Sequence, residues 1–573
     1  MTDNVRFRLP WIVAMLTVGV GLIVFRLFSI QFSPNVPYFN DEFRQITERR
    51  KEFEPPRGRI YDRRGELLAT NDTLYEVNAS PVFVTNPEAA AEVLAEKLNR
   101  SRKELAALLT GKDSYILIQR PVPATIGGEL IALQNGPDRA DLNGIALEPI
   151  PHREYPGGRL GSQILGFVGY DGRGYYGVEE FYNDVLAGHP VVGVERSVPF
   201  DAALNPDPDK GADLELTIDR DIQNLVEETL QSGLQSSGAT TGTIVVMDPK
   251  TGEILGMASW PTYDPNNFVN EPEANRVNPA LSAQFEPGSI FKVLTMAAAL
   301  ESGTVTPQTT YVDSGVVEVG GAVIHNWNGG AWGVQDMTGL LQHSLNVGAA
   351  TIARMMGPTI FYNYLTAFGV GQVTNVDLAS EAAGRLKRPG DPDWYESDLG
   401  TNSFGQGVAV TPLQILSAIS AVANGGEMMQ PHVLLSVNDS GVVHRTEPTV
   451  LGRPISAQTA RTLTEMLTVS LEREASGALV PGYLIAGKTG TAQIPIPGGY
   501  DSKQTIASFV GWGPVDDPRF IVLVKLDRPT TAPWGSVVAA PVFSQLAQRL
   551  VVLMQLPPDN VRHALLPTPT PAP

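Results

Sequence analysis

From Leu9 to Phe25 every residue is apolar or small, and after Arg26 the run resumes with Leu27, Phe28 and Ile30. About 20 such residues make one helix long enough to cross a hydrocarbon core of roughly 30 Å. This single feature fixes the compartment of everything that follows it. Arg26 lies near one end, where a long side chain reaches the headgroups. A cleaved signal peptide has a shorter apolar core and a small-x-small site. The continuation Gln31-Phe32-Ser33-Pro34 offers no such site, so residues 9–31 are expected to be an uncleaved transmembrane anchor. Arg6 and Arg8 favour retention of residues 1–8 as a short cytoplasmic tail, with the remainder outside. No other stretch reads as long and apolar enough to span, which predicts a single-pass protein.

The outer portion is globular in composition. The chain has 573 residues, 43% of them hydrophobic and 18% charged, room for about three or four domains. A formal net charge of −19 disfavours binding to nucleic acid. With no cysteine there is no disulfide framework, iron–sulfur cluster or thiol catalysis. Seven scattered histidines without H-E-x-x-H argue against zinc, and no cofactor is expected.

Past residue 32 the chain turns polar, with Arg49-Arg50-Lys51 expected inside a helix that Pro55-Pro56-Arg57-Gly58 ends. Leu74-Tyr75-Glu76-Val77 reads as strand and Ala89 to Leu98 as helix. Pro206-Asp207-Pro208-Asp209 reads as a boundary loop. A new unit then opens with a strand over Leu214 to Ile218 and a helix capped by Asp219 and running through Leu230. Thr243 to Met247 and Ile254 to Ser259 are apolar strands joined by the turn Asp248-Pro249-Lys250-Thr251-Gly252. Apolar helices are expected near 289–302, 338–356 and 411–424. Strands over Ala507 to Trp512 and Phe520 to Leu526, and a helix over Val542 to Leu553, close the unit. Strands at both ends with helices between predict a mixed α/β fold whose sheet is completed late in sequence. From Pro557 the tail is Pro/Thr-rich and expected to be extended or disordered.

Three short patterns carry chemistry. Ser289 in Pro287-Gly288-Ser289-Ile290-Phe291-Lys292 stands at a helix start, where backbone N–H groups and the helix dipole favour developing negative charge. Lys292, three residues on, shares its face. The helix is apolar nearly all round and so buried, and burial lowers a lysine's pKa toward the neutral base. A serine beside a neutral amine in a dry site is an activated acyl-transfer nucleophile. The bland alternative is a capping serine and a snorkelling lysine. Ser344-Leu345-Asn346 places a hydroxyl and an amide together at a bend between helices. Ser436-Val437-Asn438 has the same spelling but reads as a polar loop, and His343 reads as a packing residue. Lys488-Thr489-Gly490-Thr491 follows the strand-like run Tyr483-Leu484-Ile485-Ala486; it offers a cation, two hydroxyls and a glycine against which substrate backbone can lie. Lys250-Thr251-Gly252 is ordinary turn chemistry.

Gly482 to Thr489 also spells G-x-x-x-x-G-K-[ST]. A phosphate loop needs a flexible middle and a following helix, whereas here the middle is strand-forming and Pro495 and Pro497 follow. No G-x-S-x-G supports an α/β-hydrolase.

In that order the three patterns resemble the penicillin-recognising serine enzymes. Further blocks resemble class B penicillin-binding proteins: Arg57-Gly58-Arg59-Ile60-Tyr61-Asp62 through Ala69, Tyr155-Pro156 and Gly174-Tyr-Tyr-Gly177-Val178-Glu179 in a pedestal. Val245 to Pro249 with Gly252 to Leu255, and Gly405-Gln406-Gly407 with Thr411 to Gln414, resemble further blocks of the transpeptidase domain. The resemblance covers roughly residues 10 to 555. It implies a transmembrane anchor, an elongated α+β pedestal over 32–211, and a transpeptidase domain over 212–556 with an antiparallel sheet flanked by helices. It also implies that Ser289 attacks the D-Ala-D-Ala carbonyl of a stem peptide with Lys292 as base. Ser344 and Lys488 relay a proton to the leaving amine, Asn346 holds the acyl chain, Thr489 or Thr491 takes the terminal carboxylate, and Gly490 lies under the substrate. The N–H groups of Ser289 and Thr491 form the oxyanion hole. β-Lactams acylate Ser289 and stay. The implied partner is a separate multi-spanning glycan polymerase within a cell-wall synthesis complex, because no glycosyltransferase domain fits between anchor and catalytic domain. The pedestal spacing resembles the division type somewhat more than the elongation type. The rival readings are a β-lactam-binding receptor or silent scaffold, and a β-lactamase or carboxypeptidase that passes the acyl group to water.

Overall fold

The computed structural model describes residues 3–31, 48–53, 55–136, 142–196 and 209–565. It divides into two compact units, Met1–Pro56 with Ala187–Gly211, and Arg57–Leu186 with Ala212–Pro573.

Among the described residues the first unit contains one helix, Asp3–Gln31, longer at its start than the apolar run itself. Trp11, Met15, Leu22, Phe25 and Phe28 are all more than half exposed along it. Its hydroxyls are turned inward, Thr17 Oγ1 donating to the Val13 carbonyl and Ser29 Oγ to that of Arg26, each at 2.8 Å. Such back-bonding leaves no free hydroxyl on an apolar face. The expected helix around Arg49-Arg50-Lys51 is instead a strand, Glu48–Phe53, paired antiparallel with Val191–Arg196. Charged helix formers have only weak intrinsic preference, and a valine-rich partner distant in sequence supplies the ladder that decides. Most of the expected boundary loop at Pro206 to Asp209 lies outside the described residues.

In the second unit a long strand, Leu67–Ala79, pairs on one edge with Ile116–Val122 and, from Thr70 to Ala79, with Ile145–Glu154. Helices Pro87–Leu98, Arg102–Leu109 and Ala124–Asn135 cover it through a small core that includes Val77, Leu94, Leu105 and Leu130. The same sheet runs on through Ile60–Tyr61, which pairs in parallel with Asp213–Leu216, and then through Leu434–Asp439 and Val442–Arg445. Ser436-Val437-Asn438 is therefore strand and not loop, because Asp213–Leu216 is there to pair with it; Ser436 is buried and donates to Glu215.

A second, five-stranded antiparallel sheet forms the centre. Its strands are β1 (Thr241–Met247), β2 (Ile254–Trp260), β3 (Ala486–Ile496), β4 (Gly499–Gly513) and β5 (Phe520–Asp527), in the spatial order β2-β1-β5-β4-β3. Both faces are covered, which is why β1, β2 and β5 read as largely apolar runs. Ile244, Val246, Val522 and Val524 face helices α1 (Arg220–Ser237) and α4 (Gly535–Leu553), whereas Val245, Met247, Ile521 and Leu523 face the helical layer that holds α2 (Lys292–Glu301) and α3 (Asn346–Ala367). Helix α1 runs past Leu230 to Ser237. Its Asp219 cap accepts from the N–H groups of Asp221 and Ile222, Leu234 continues the buried face of Ile222, Val226 and Leu230, and left-handed Gly238 ends it.

Helix α4 is itself long and apolar enough to span a membrane by composition, which the sequence reading did not allow for; more than half of it is buried against the sheet. The helical stretch expected over 338–356 is two helices, Met337–Gln342 and α3, with the expected bend at Ser344 between them. Past Pro557 the chain forms one more helix, Asp559–Leu565, pinned by Asp559 accepting from Leu484 N–H and by the Arg562–Asp559 pair, so only residues beyond it remain as the expected tail and lie outside the described residues.

Candidate active site

Pro287 precedes a single 3-10 turn, Gly288–Phe291, that feeds directly into α2. Gly288 has φ +59°, and a Cβ there would stand 3.0 Å from the Thr491 carbonyl, so glycine is needed both for the turn and for the close approach of β3. The turn leaves Ser289 partly exposed while Lys292 is buried at 1% relative exposure.

Lys292 Nζ contacts four oxygens: Ser289 Oγ at 3.0 Å, the Ser344 carbonyl at 2.6 Å, Ser344 Oγ at 3.2 Å and Asn346 Oδ1 at 2.8 Å. No carboxylate is among them. Burial, and then the charge of Lys488, hold the Lys292 ammonium well below the ordinary lysine range. Ser344 sits between the two helices at φ +54°, a strained conformation for a side-chain-bearing residue that turns both its carbonyl and its hydroxyl toward Lys292. Asn346 begins α3 and is oriented by its own amide, whose Nδ2 donates to the His325 carbonyl at 3.1 Å.

The Lys488-Thr489-Gly490-Thr491 segment lies inside β3, the edge strand, while the run Tyr483 to Ile485 before it is not strand. Lys488 is buried and donates to Ser344 Oγ at 3.1 Å, so the Ser344 hydroxyl stands between two amines. Burial lowers Lys488 to about 8, opposed by the charge of Glu474. Gly490 passes so close to β4 that a Cβ would stand 2.2 Å from Ser508 Oγ. Thr491 Oγ1 accepts the Gly535 N–H at 3.0 Å, which leaves its own proton to donate.

The structure thus gathers Ser289, Lys292, Ser344, Asn346 and Lys488 around one point, with Thr489, Gly490 and Thr491 along the adjoining edge. The arrangement can remove a proton from Ser289, return one through Ser344 to a leaving group, and pair a ligand's backbone to a strand edge. Among the described residues no cluster of histidine, aspartate and glutamate is suited to a metal. Lys250-Thr251-Gly252 is in the β1–β2 turn.

Several neighbours escaped the sequence reading. Glu474, at the end of helix Ala457–Glu474, stands 3.1 Å from His343 Nδ1. Trp327 donates to the His343 carbonyl and meets Trp534 edge-on at 5.3 Å between ring centroids. Glu286 accepts from Gly407 N–H and Tyr500 OH. None has a local pattern to announce it, since each partner comes from a distant segment.

Residues 242–548 match the penicillin binding protein transpeptidase domain, and residues 52–196 match the penicillin-binding protein dimerisation domain. Stage V sporulation protein D of Bacillus subtilis (strain 168) is 34% identical over 513 residues, covering 86% of this chain and 78% of that protein. The peptidoglycan D,D-transpeptidase FtsI homolog of Mesostigma viride is 27% identical over 97% of this chain and 96% of its own length. Among solved structures, penicillin binding protein 3 from Mycobacterium tuberculosis complexed with aztreonam superimposes with a TM-score of 0.69 at 28% identity, over 89% of this chain and 98% of that one. Penicillin binding protein 2X from Streptococcus thermophilus gives 0.75 at 25% identity, over 88% and 80%.

Proposed function

Because the chain belongs to the class B penicillin-binding proteins, with both the transpeptidase and the dimerisation domain of that family, we propose that Ser289 is its acylated nucleophile and Lys292 the base that activates it. The protein is a peptidoglycan D,D-transpeptidase and a β-lactam target. The observation that carries the assignment of residues is the buried Lys292 amine 3.0 Å from Ser289 Oγ, with no carboxylate against it.

Ser289 Oγ attacks the penultimate D-alanine carbonyl of the donor stem peptide as its proton passes to Lys292. The oxyanion is held by the N–H groups of Ser289 and Thr491, typically a large electrostatic term. The proton returns through Ser344, with Lys488 supporting it, to the departing D-alanine amine. Asn346 holds the acyl chain, and Thr489 or Thr491 takes the terminal carboxylate. An amine of a neighbouring strand then displaces Ser289 and closes the crosslink.

The Asp3–Gln31 helix is the membrane-anchor candidate. In our reading residues 1–8 stay in the cytoplasm, 9–31 form the single span, 32–211 the pedestal, 212–565 the transpeptidase domain outside with its closing helix, and 566–573 the tail. The basic N-terminus and the apolar exposure of the helix support this. The implied partner is a multi-spanning glycan polymerase of the cell-wall synthesis complex, in a role closer to division than to elongation.

Labelling with a fluorescent penicillin beside Ser289→Ala, followed by intact mass over hours, tests the assignment. One long-lived adduct in the parent and none in the variant is expected. No adduct on folded parent protein removes the nucleophile, and an adduct that clears within minutes favours a hydrolase.

A further inference from the structure

The segment that delivers Ser289 is fastened to residues 405–410 by three rungs, of which two are backbone. Phe285 and Val410 exchange N–H and carbonyl bonds at 2.9 and 3.0 Å, and Gly288 N–H donates to the Gly405 carbonyl at 3.2 Å. The rung between them is a side chain: Glu286 Oε1 accepts the Gly407 N–H at 2.9 Å. The same oxygen accepts from Tyr500 OH at 3.2 Å, on β4 just after the hairpin turn from β3. The fit at Gly288 is tight, since a Cβ on Gly405 would stand 2.4 Å from the Gly288 carbonyl and one on Gly490 only 3.3 Å from that of Pro287.

We infer that Glu286 is a positioning residue of the acyl-transfer site: its carboxyl holds the Gly288 turn, and with it the Ser289 N–H, at the angle the oxyanion needs, and ties the β3–β4 hairpin to the same point. The inference rests on the proposed role of Ser289. Glu286 touches neither Ser289 Oγ nor Lys292 Nζ, so it acts through the backbone of the turn. The neutral carboxyl suffices for this. Oε2 is closed off from solvent with no donor against it, a poor setting for a charge. Burial raises the Glu286 pKa, and the ammonium that opposes the rise, Lys387, is already engaged by both oxygens of Asp398 at 2.8 and 2.9 Å. The charged groups acting there, Lys387 and Asp398, lie on the 387–398 segment, and Tyr500 faces Glu286 from β4.

The test is stopped-flow acylation of the full-length protein in detergent by a fluorescent penicillin, resolving the acylation rate constant from the affinity of the first complex. Glu286→Gln retains an acceptor for both donors and is expected to stay within about threefold of the parent. Glu286→Ala is expected to slow acylation roughly 30-fold or more at nearly unchanged affinity, somewhat less than outright loss of an oxyanion donor. Tyr500→Phe, which frees only the hairpin, is expected to lose less than about fivefold. Should Glu286→Ala fail to fold, Glu286→Asp carries the same expectation, its carboxyl being one methylene short of Gly407. An unimpaired rate in Glu286→Ala, a loss confined to affinity, or a Glu286→Gln as slow as Glu286→Ala overturns the inference while leaving Ser289 in place. Absence of an adduct in the parent overturns both.

Discussion

A neutral lysine has two hydrogens and one lone pair, and the partners of Lys292 divide accordingly. The Ser344 carbonyl and Asn346 Oδ1 can only accept, so they take the two hydrogens and leave the lone pair for a hydroxyl. In the proposed mechanism Lys488 has the complementary task, because its proton must be present to support Ser344. The pH dependence follows with a definite sign. The Lys292 base form is present only above its lowered pKa, so acylation rises with pH through that value. The Lys488 ammonium is lost as pH passes about 8, so the rate falls again there. Lys488→Arg keeps a charge that does not titrate, and should move the alkaline limb upward while lowering the plateau. An alkaline limb unmoved in that variant, measured as acylation rate against pH, would assign it elsewhere. Ser344→Ala should cost roughly 10²–10⁴-fold in acylation with the fold intact by circular dichroism. Local rules suffice to pair Ser289 with Lys292, because helix geometry sets residues three apart on one face. They do not reach Glu286, Glu474 or Trp327, whose partners are brought from remote loops by the fold alone.

Among the elements, those with a strong local signal match their expected places. Asp219 heads α1, the apolar pairs of β1 and β2 flank their turn, and Phe520–Asp527 completes the sheet late in sequence as strand order required. Elements whose identity depends on a distant partner do not. Glu48–Phe53 and the Ser436–Asn438 stretch become strands because Val191–Arg196 and Asp213–Leu216 lie beside them. The bend at Ser344 falls where Ser344-Leu345-Asn346 was expected to place one, but its form is not local: nothing in Gln342-His343-Ser344-Leu345 calls for the left-handed residue found there, which Lys292 holds. Where the local signal is real, its energy is measurable. The Asp219 carboxylate satisfies two otherwise orphaned N–H groups, so Asp219→Ala should lower unfolding free energy by about 1 kcal/mol, read as a shift of the urea midpoint at constant slope. A variant as stable as the parent would mean that the Arg64 contact to Asp219 was destabilising enough to cancel the cap.

On the scale of the molecule, the residues matched to the two domain families share one sheet. Ile60–Tyr61 lies between Leu67–Ala79 and Asp213–Leu216, and the latter pairs onward with Leu434–Asp439. Ile60, Leu214 and Leu216 are wholly buried at this junction. A pairing two residues long between segments so far apart leaves no periodic trace in sequence, so the reading of separate pedestal and catalytic stretches had no means to find it. Close by, Glu179 is fully buried between two guanidinium groups, Arg57 Nε and Arg153 Nε each at 2.7 Å, with Arg153 Nη1 also bonded to the Gly58 carbonyl. The carboxylate outweighs its burial cost through those two cations and is held below the ordinary range. Glu179→Gln removes one charge and leaves two buried arginines unbalanced, a loss of about 3–5 kcal/mol. Because the sheet is continuous, that loss should not be confined to the N-terminal side. Urea unfolding should show one transition, moved to lower concentration, in which circular dichroism and penicillin acylation at Ser289 are lost together. Acylation that survives beyond the loss of structure around Glu179, as a second transition at the parent's midpoint, would show that the shared sheet does not couple the two parts.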